Sequence, residues 1–208
     1  PHIWYDFRNK TDALGTNWWN NSIEAVRANQ RYCADPQQAG FGYSQHLWGL
    51  TASDGPNPGP GSPYGYIAYG SAPSYGHYHD GTIAPTAAGG SIAMDYPLAV
   101  SSLKYQYAAW GDSVWTNLGF VDSYQPRSGW ADSYYVTIDQ GPMLLRLENQ
   151  NSQLIWNQFM ANEHVKRSLQ RTRFSGYVPT DVNLEDFEDR NLSTPQRTVG
   201  WSESSQGA

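Results

Sequence analysis

The chain has 208 residues, which is enough for one well-buried domain with a short appendage or linker. Its formal net charge of −6 disfavours a nucleic-acid-binding protein, because there is no basic stripe for a phosphate backbone to contact. Charged residues make up only 15% and aromatic residues 14%, mostly Tyr (15) and Trp (9), and this neutral, aromatic composition favours a sugar ligand whose C–H faces stack on such rings.

The first predicted element is a helix over residues 22–33, where Ile23 and Val26 fall near one face. It is expected to end before Pro36, since the residue that precedes a proline avoids the helical region. Residues 36–91 are rich in Gly, Pro, Ser, Tyr and His and have no helical period. Compact domains rarely carry such a long irregular segment unless it forms a binding or catalytic loop.

A second helix is predicted to begin at an Asp95 N-cap and to run to about Trp110, where Gly111 stops it. Its candidates for the buried side are Leu98, Leu103 and Tyr107. Residues 111–138 then form another predicted loop, rich in Trp, Tyr, Asp and Ser.

Three further helices are predicted, one opening at Gly141-Pro142 and two over about 153–161 and 162–172. Helices that alternate with aromatic-rich loops are typical of helical barrels, in which the helices support a face built from loops. The sequence therefore predicts an all-α fold.

The sequence predicts no membrane span and does not decide the redox compartment of the protein. No run of about 18 apolar residues occurs, so no membrane span is expected. The single Cys33 cannot form an internal disulfide and is compatible with the cytosol, the periplasm or the exterior. The chain begins at Pro1 without Met or a signal peptide, so we expect a processed form or a fragment.

Three short motifs place an acidic residue at or near a glycine: Asp54-Gly55, Asp80-Gly81 and Asp139-Gln140-Gly141. A bare glycine backbone lets a ligand approach closely. An isolated Asp-Gly is usually just a turn. Three such motifs in aromatic-rich loops favour a binding site, and we expect them to converge on one groove.

The stretch from about Trp4 to Phe174 resembles the C-terminal half of the bacterial glucoamylase-like family. That family includes the endo-β-1,2-glucanases of glycoside hydrolase family 144 and the transglycosylase domain of cyclic β-1,2-glucan synthases. The resemblance is carried by Trp-Gly-Leu-Thr-Ala-Ser-Asp-Gly-Pro (48–56), Gly-Tyr…Ala-Tyr-Gly (65–70), Asp-Gly-Thr-Ile-Ala-Pro-Thr-Ala-Ala (80–88) and Ile-Asp-Gln-Gly-Pro (138–142).

The resemblance implies an (α/α)6 toroid whose loops form the substrate cleft, and a periplasmic or secreted hydrolase of β-1,2-glucan or its oligosaccharides, usually inverting, without metal or organic cofactor. Family members are about twice as long, so this chain is expected to supply about half of the toroid, with the missing N-terminal half as its partner. The insert at 56–61 also lengthens a loop that the family keeps short. A non-catalytic glycan-binding protein on the same scaffold and a transglycosylase are the alternatives.

The chain is predicted to consist of two parts, a domain over 1–178 and a polar tail over 179–208. The tail is interpreted as a linker. Its Asp-Phe-Glu before a Gly-Trp also resembles the opening strand of a jelly-roll carbohydrate-binding module, which would then be truncated.

An inverting glycosidase needs one protonated carboxylic acid and one ionised carboxylate, roughly 6.5–9.5 Å apart. Asp139 is the candidate base, since it sits just before Gly-Pro at a predicted helix start; a structural N-cap is the alternative. By the resemblance, the acid is expected upstream of Pro1. Asp54 and Asp80 are weaker candidates for the acid, and binding of sugar hydroxyls is their favoured role.

The predicted substrate-binding residues are three stacking rings and four polar side chains: Trp48, Tyr66 and Tyr69, and Asp54, Asp80, Thr82 and Gln140. His77 and His79 precede Asp80, and a His-x-His-Asp run can suggest a metal site. Without a further ligand at metal spacing, a hydrogen-bonding loop is the favoured interpretation.

Overall fold

The structure is a computed structural model, and it describes residues 1–57, 65–71 and 79–176. Its α-helices are α1 (Trp18–Ala34), α2 (Pro85–Gly89), α3 (Tyr96–Val114), α4 (Thr137–Asn151), α5 (Leu154–Met160) and α6 (Glu163–Arg171). A 3-10 helix covers Pro36–Phe41. The strands form two-residue antiparallel pairs, β1 (Ala52–Ser53) with β2 (Ile67–Ala68), β3 (Trp115–Thr116) with β4 (Gly119–Phe120), and β5 (Tyr124–Gln125) with β6 (Trp130–Ala131). The described part of the chain is mainly helical, in agreement with the predicted class.

Helix α1 starts four residues earlier than predicted, at Trp18 instead of 22. The side chain of Asn17 caps it by accepting a hydrogen bond of 2.9 Å from the backbone N–H of Asn20. Its end was predicted correctly, because Asp35 before Pro36 takes an extended conformation.

The N-cap of α3 was also predicted correctly, since Asp95 accepts from the backbone N–H of Leu98 at 3.3 Å. Gly111, however, does not stop the helix, which continues to Val114. A glycine inside a helix costs only about 1 kcal/mol relative to alanine, so flanking packing can override it. Of the candidates for its buried side, Leu98 and Leu103 pack against the core, whereas Tyr107 is 54% exposed in the described part of the chain. The fully buried positions of α3 include the small or polar residues Ala99, Ser102 and Gln106.

Helix α4 begins at Thr137, so the prediction that Gly141-Pro142 opens it is wrong. Pro142 lies inside the helix and costs it one backbone hydrogen bond. Because the N-cap residue is Val136, Asp139 is not a cap but occupies the first helical turn. Helices α5 and α6 match the predicted segments 153–161 and 162–172 to within one or two residues.

Residues from loops as well as from helices form the core. Trp48, Leu50, Ile83, Val121 and Tyr124 are all buried in one hydrophobic cluster. Backbone hydrogen bonds of 2.8 and 2.9 Å join Ile83 to Tyr124, which ties the segment after Asp80 to the segment after Asp122. The described parts of the irregular loops are therefore packed parts of the domain, and they position side chains at its surface.

The N-terminal residues pack against the last helices. Trp19 meets Trp156 edge-on with ring centroids 5.6 Å apart, and the guanidinium of Arg8 lies 4.2 Å above the Trp156 ring. Asn149 of α4 donates a hydrogen bond of 2.8 Å to the carbonyl of Ile3.

Within the described ranges, no helix is long and apolar enough to span a bilayer. The predicted linker or accessory segment at 179–208 lies outside the described residues.

Candidate active site

Asp139 projects from the first turn of α4, and two contacts hold that turn in place. The hydroxyl of Thr86 donates to the carbonyl of Asp139 at 3.2 Å. The side-chain amide of Gln140 donates to the carbonyl of Phe120 at 2.6 Å. Gln140 thus uses its amide nitrogen to fasten α4 to β4, which removes that donor from the substrate contacts predicted for it.

Asp139 lies close enough to Asp122, a residue that the sequence analysis missed, to raise the pKa of that carboxyl. Asp122 is only 2% exposed and follows the buried Val121. Its Oδ2 accepts the backbone N–H of Asp54 at 3.1 Å. The hydroxyl of Ser123 donates to the carbonyl of Asp54 at 2.6 Å, so two adjacent bonds hold Asp54 beside Asp122.

A further carboxyl, that of Asp132, joins this group from the end of the β5–β6 hairpin. Its Oδ1 accepts the backbone N–H of Tyr134 at 3.2 Å, and its own N–H donates to the carbonyl of Ser123 at 3.0 Å. Asp54, Asp122 and Asp132 each place one carboxylate oxygen within 4.8 Å of those of the other two. Together with Asp139 they form a cluster of four carboxyl groups, which we call the carboxyl cluster.

The electrostatics of the carboxyl cluster favour bound protons. Burial and then the hydrogen bond to Asp139 raise the pKa of Asp122 to about 6. Burial, followed by the charges of Asp132 and Asp122, raises the pKa of Asp54. Burial and the charge of Asp122 also raise the pKa of Asp132, against the backbone N–H groups of Tyr134 and Ser133, which lower it. At least one of these groups therefore stays protonated under mildly acidic conditions.

Asp80 lies next to the carboxyl cluster and is held rigidly. Its Oδ1 accepts from both the backbone N–H and the hydroxyl of Thr82, at 2.9 and 2.6 Å. Its Oδ2 accepts from the hydroxyl of Tyr69 at 3.4 Å, and that hydroxyl packs against Gly55, the neighbour of Asp54. The predicted acidic-glycine motifs thus come together in one region: Tyr69 links Asp80 to Gly55, and Asp122 links Asp54 to Asp139.

Three of the predicted substrate contacts lie in the core instead. Trp48 and Tyr69 are 1% and 4% exposed, so neither offers a face on which a sugar ring could stack. Thr82 is 1% exposed, and its hydroxyl donates a hydrogen bond to Asp80. An aromatic or hydroxyl side chain in a loop that is itself buried packs inward, so these three side chains expose little surface to a ligand in this structure.

Two tyrosines remain exposed beside the carboxyl cluster. Tyr66, a predicted stacking residue, is 55% exposed and lies across from Asp54, since Ser53 pairs with Ile67 in the β1–β2 register. Tyr134, which was not predicted, is 68% exposed and follows Asp132 closely in the chain. The sequence does contain a signal for the missed residues, because Asp-Ser-Tyr occurs at both 122–124 and 132–134.

In the His-x-His-Asp motif, His79 is held by stacking and a hydrogen bond. His79 stacks on Tyr32 with ring centroids 5.1 Å apart, and the two side chains share a hydrogen bond of 3.1 Å. His77 lies outside the described residues. The spacing of Asp54, Asp122 and Asp132 could accommodate a divalent cation. Shared protons explain the same close approach, and we assign no metal to these residues.

The chain is similar to known proteins in sequence. The sequence profile of the family described as "Putative glucoamylase" matches residues 1–163. An exo β-1,2-glucooligosaccharide sophorohydrolase (non-reducing end) from Parabacteroides distasonis is 31% identical over 156 residues, which cover 75% of this chain and 20% of that protein.

Solved structures give the same result. The crystal structure of a protein from Bacteroides uniformis, described as a "putative glucoamylase", has a TM-score of 0.75 and 31% identity. The match covers 86% of this chain and 40% of that one. The endo-β-1,2-glucanase from Chitinophaga pinensis, solved with sophorotriose and glucose, has a TM-score of 0.74 and 27% identity over 85% of this chain and 40% of its own. The chain thus spans a fifth of the curated relative and two-fifths of these structures, and it belongs to the glucoamylase-like family that its motifs resemble.

Proposed function

We propose that the protein to which this chain belongs is a glycoside hydrolase that cleaves β-1,2-linked glucan or its oligosaccharides. The observation that carries the proposal is the carboxyl cluster around Asp139, which combines a proton-holding group with an exposed aromatic rim. Glycosidic bond cleavage needs a proton and a carboxylate at the same place. The β-1,2 linkage rests on the printed activities of the relatives from Parabacteroides distasonis and Chitinophaga pinensis.

In the proposed mechanism Asp139 is the base that takes a proton from the attacking water. By the family resemblance, the acid is proposed to come from the remainder of the protein. Asp54 and Asp80 are proposed to bind sugar hydroxyls, and Tyr66 to stack on a sugar ring.

The finer architecture is part of the same proposal. We place this chain as about half of an (α/α)6 toroid, with residues 1–178 in the toroid and 179–208 as a linker or the start of an accessory module. Large apolar side chains are exposed on α3 and α4, including Tyr107, Leu144 and Leu147, and further helices would cover them. A periplasmic or secreted location suits an enzyme that acts on a neutral glucan.

The test is to incubate the complete protein with β-1,2-, β-1,3- and β-1,4-glucans and to resolve the products by size. Selective shortening of the β-1,2-glucan is expected, and proton NMR of the first products should show the inverted anomer. Products longer than the substrate would instead indicate transglycosylation. Binding without cleavage of any of the three glucans would contradict the proposal and favour a glycan-binding protein.

A further inference from the structure

Arg146 of α4 is a cation that lacks a counter-ion within residues 1–57, 65–71 and 79–176. Its Nη1 is fully enclosed by protein atoms and has no hydrogen-bond partner there. Burial lowers the pKa of the guanidinium to about 10, with no carboxylate near enough to oppose this shift. The side chain is therefore charged at neutral pH, and an enclosed charge without a counter-ion is strongly unfavourable.

The acidic residues of α4 do not supply the counter-ion. Asp139 lies on the same face of the helix as Arg146 but seven residues earlier, which is about 10 Å along the axis. Glu148 lies two residues after Arg146 and therefore points to a different side of the helix. Its carboxylate also accepts a hydrogen bond from the hydroxyl of Ser152. The missing negative charge therefore has to come from outside the described residues.

The N-terminal segment covers one side of this part of α4 and brings no negative charge to it. One turn after Arg146, on the same face, Asn149 donates a hydrogen bond of 2.8 Å to the carbonyl of Ile3. The preceding residue, His2, has its pKa lowered to about 4, by burial first and then by the charges of Arg146 and of the N-terminus. His2 is therefore neutral at pH 7 and cannot serve as an anion.

The same part of α4 presents apolar side chains to the outside. Leu144 and Leu147, which flank Arg146 in the chain, are 67% and 39% exposed. Arg146 itself keeps part of its surface accessible, so a group from outside can reach the guanidinium. A carboxylate suits this position, because the planar guanidinium binds both carboxylate oxygens through parallel N–H donors. A neutral glucan carries no such charge, so the carboxylate has to belong to a protein.

We infer that Arg146 forms an ion pair with an acidic side chain from the part of the protein outside this chain, and that this pair anchors α4 to the remaining helices of the toroid. The inference rests on the proposed function, in which this chain supplies about half of that toroid. Asp139 lies two turns from Arg146 on the same face of α4. The ion pair therefore anchors the helix that carries the candidate base.

Melting temperatures of two variants of the complete protein at pH 7.5 test the inference. Arg146→Gln leaves the partner carboxylate enclosed without its cation, and the melting temperature should fall by about 5 °C or more. Arg146→Lys restores a positive charge without the planar fork of donors and should recover about half of that loss. Arg167→Gln removes an exposed cation on α6 and is the matched control, with an expected change of about 1 °C or less.

The sign of the change in Arg146→Gln separates the alternatives. If no anion pairs with Arg146, this variant only removes an unfavourable charge, and an unchanged or higher melting temperature overturns the inference. A loss that Arg146→Lys does not reduce also overturns it, because only the packing of the side-chain stem would then explain the loss.

Carbodiimide labelling of carboxyl groups, read by mass spectrometry, locates the partner. An acidic residue outside residues 1–208 should gain label in Arg146→Gln but not in Arg167→Gln, since the unpaired carboxylate becomes accessible. A gain confined to residues 1–208, or no gain, overturns the assignment to the rest of the protein. None of these measurements uses turnover, so a failure to cleave glucan refutes the proposed function while the ion pair is still tested.

Discussion

The backbone N–H of Asp54 donates a 3.1 Å hydrogen bond to the carboxylate of Asp122, which lies 68 residues further along the chain. This bond joins the loop after β1 to the segment before β5. The Ser123 hydroxyl adds a second bond to the carbonyl of Asp54, so the two segments act as one rigid wall of the carboxyl cluster.

Replacing Asp139 by Asn should abolish turnover but preserve binding. The amide keeps the shape of the side chain but cannot take a proton from water, and loss of a general base typically costs about 10²–10⁴-fold in rate. Reducing-sugar release measures the loss, and calorimetric titration with a β-1,2-glucooligosaccharide measures binding. Undiminished turnover in this variant would rule out Asp139 as the base.

Removing the exposed rings beside the carboxyl cluster should weaken substrate binding. Tyr66→Ala and Tyr134→Ala are each expected to raise KM about 2- to 10-fold, from the ~0.5–1.5 kcal/mol of an aromatic contact, with little change in kcat. Trp18→Ala removes an exposed ring at the start of α1 and serves as the control. If all three variants behave alike in steady-state kinetics, the aromatic rim is not a binding surface.

Gly55 and Tyr69 should show strong energetic coupling. A Cβ at position 55 would overlap the Tyr69 hydroxyl, so Gly55→Ala should destabilise the protein by about 1–3 kcal/mol through overpacking. Tyr69→Phe removes the overlapping oxygen, and the double variant should therefore be more stable than the sum of the single changes predicts. Thermal unfolding of all four proteins measures the coupling.

Gly40→Ala is the control for that cycle, because a Cβ there meets nothing within 4 Å. It should be additive with Tyr69→Phe. Simple additivity for Gly55→Ala as well would show that the hydroxyl of Tyr69 does not pack on Gly55.

Neutralising Asp132 should stabilise the protein more at neutral than at acidic pH. Burial, and then Asp122, raise the pKa of Asp132 above its unfolded value, so the folded state holds the proton more tightly. This group therefore favours folding at low pH, and the contribution is lost as the pH rises through the folded pKa. In Asp132→Asn that loss is absent, while the amide oxygen can still accept the N–H of Tyr134.

Melting temperatures at pH 4.5 and 7.5 measure the effect. The gain of Asp132→Asn over wild type should be larger at pH 7.5 than at pH 4.5 by about 2–4 °C. Asp112→Asn, which removes an exposed carboxyl at the end of α3, should show no such difference. An equal gain at both pH values would mean that folding does not destabilise the ionised form of Asp132.

Much of the secondary structure could be predicted because its determinants are local. The Asp95 N-cap, the end of α1 before Pro36 and the two last helices each depend on residues within a turn or two of one another. The failures at Gly111 and at Gly141-Pro142 came from short-range signals that packing overrode.

The sequence by itself determined the family, through motifs at 48–56, 65–70, 80–88 and 138–142, and it identified Asp139 as the candidate base. Only the tertiary structure decided that Trp48 is buried, that Tyr134 is exposed, and that Asp122 comes together with Asp54, Asp132 and Asp139. The physical reason is range: caps and turns depend on neighbours in the chain, whereas burial and the clustering of carboxyl groups depend on which distant segments the core brings into contact.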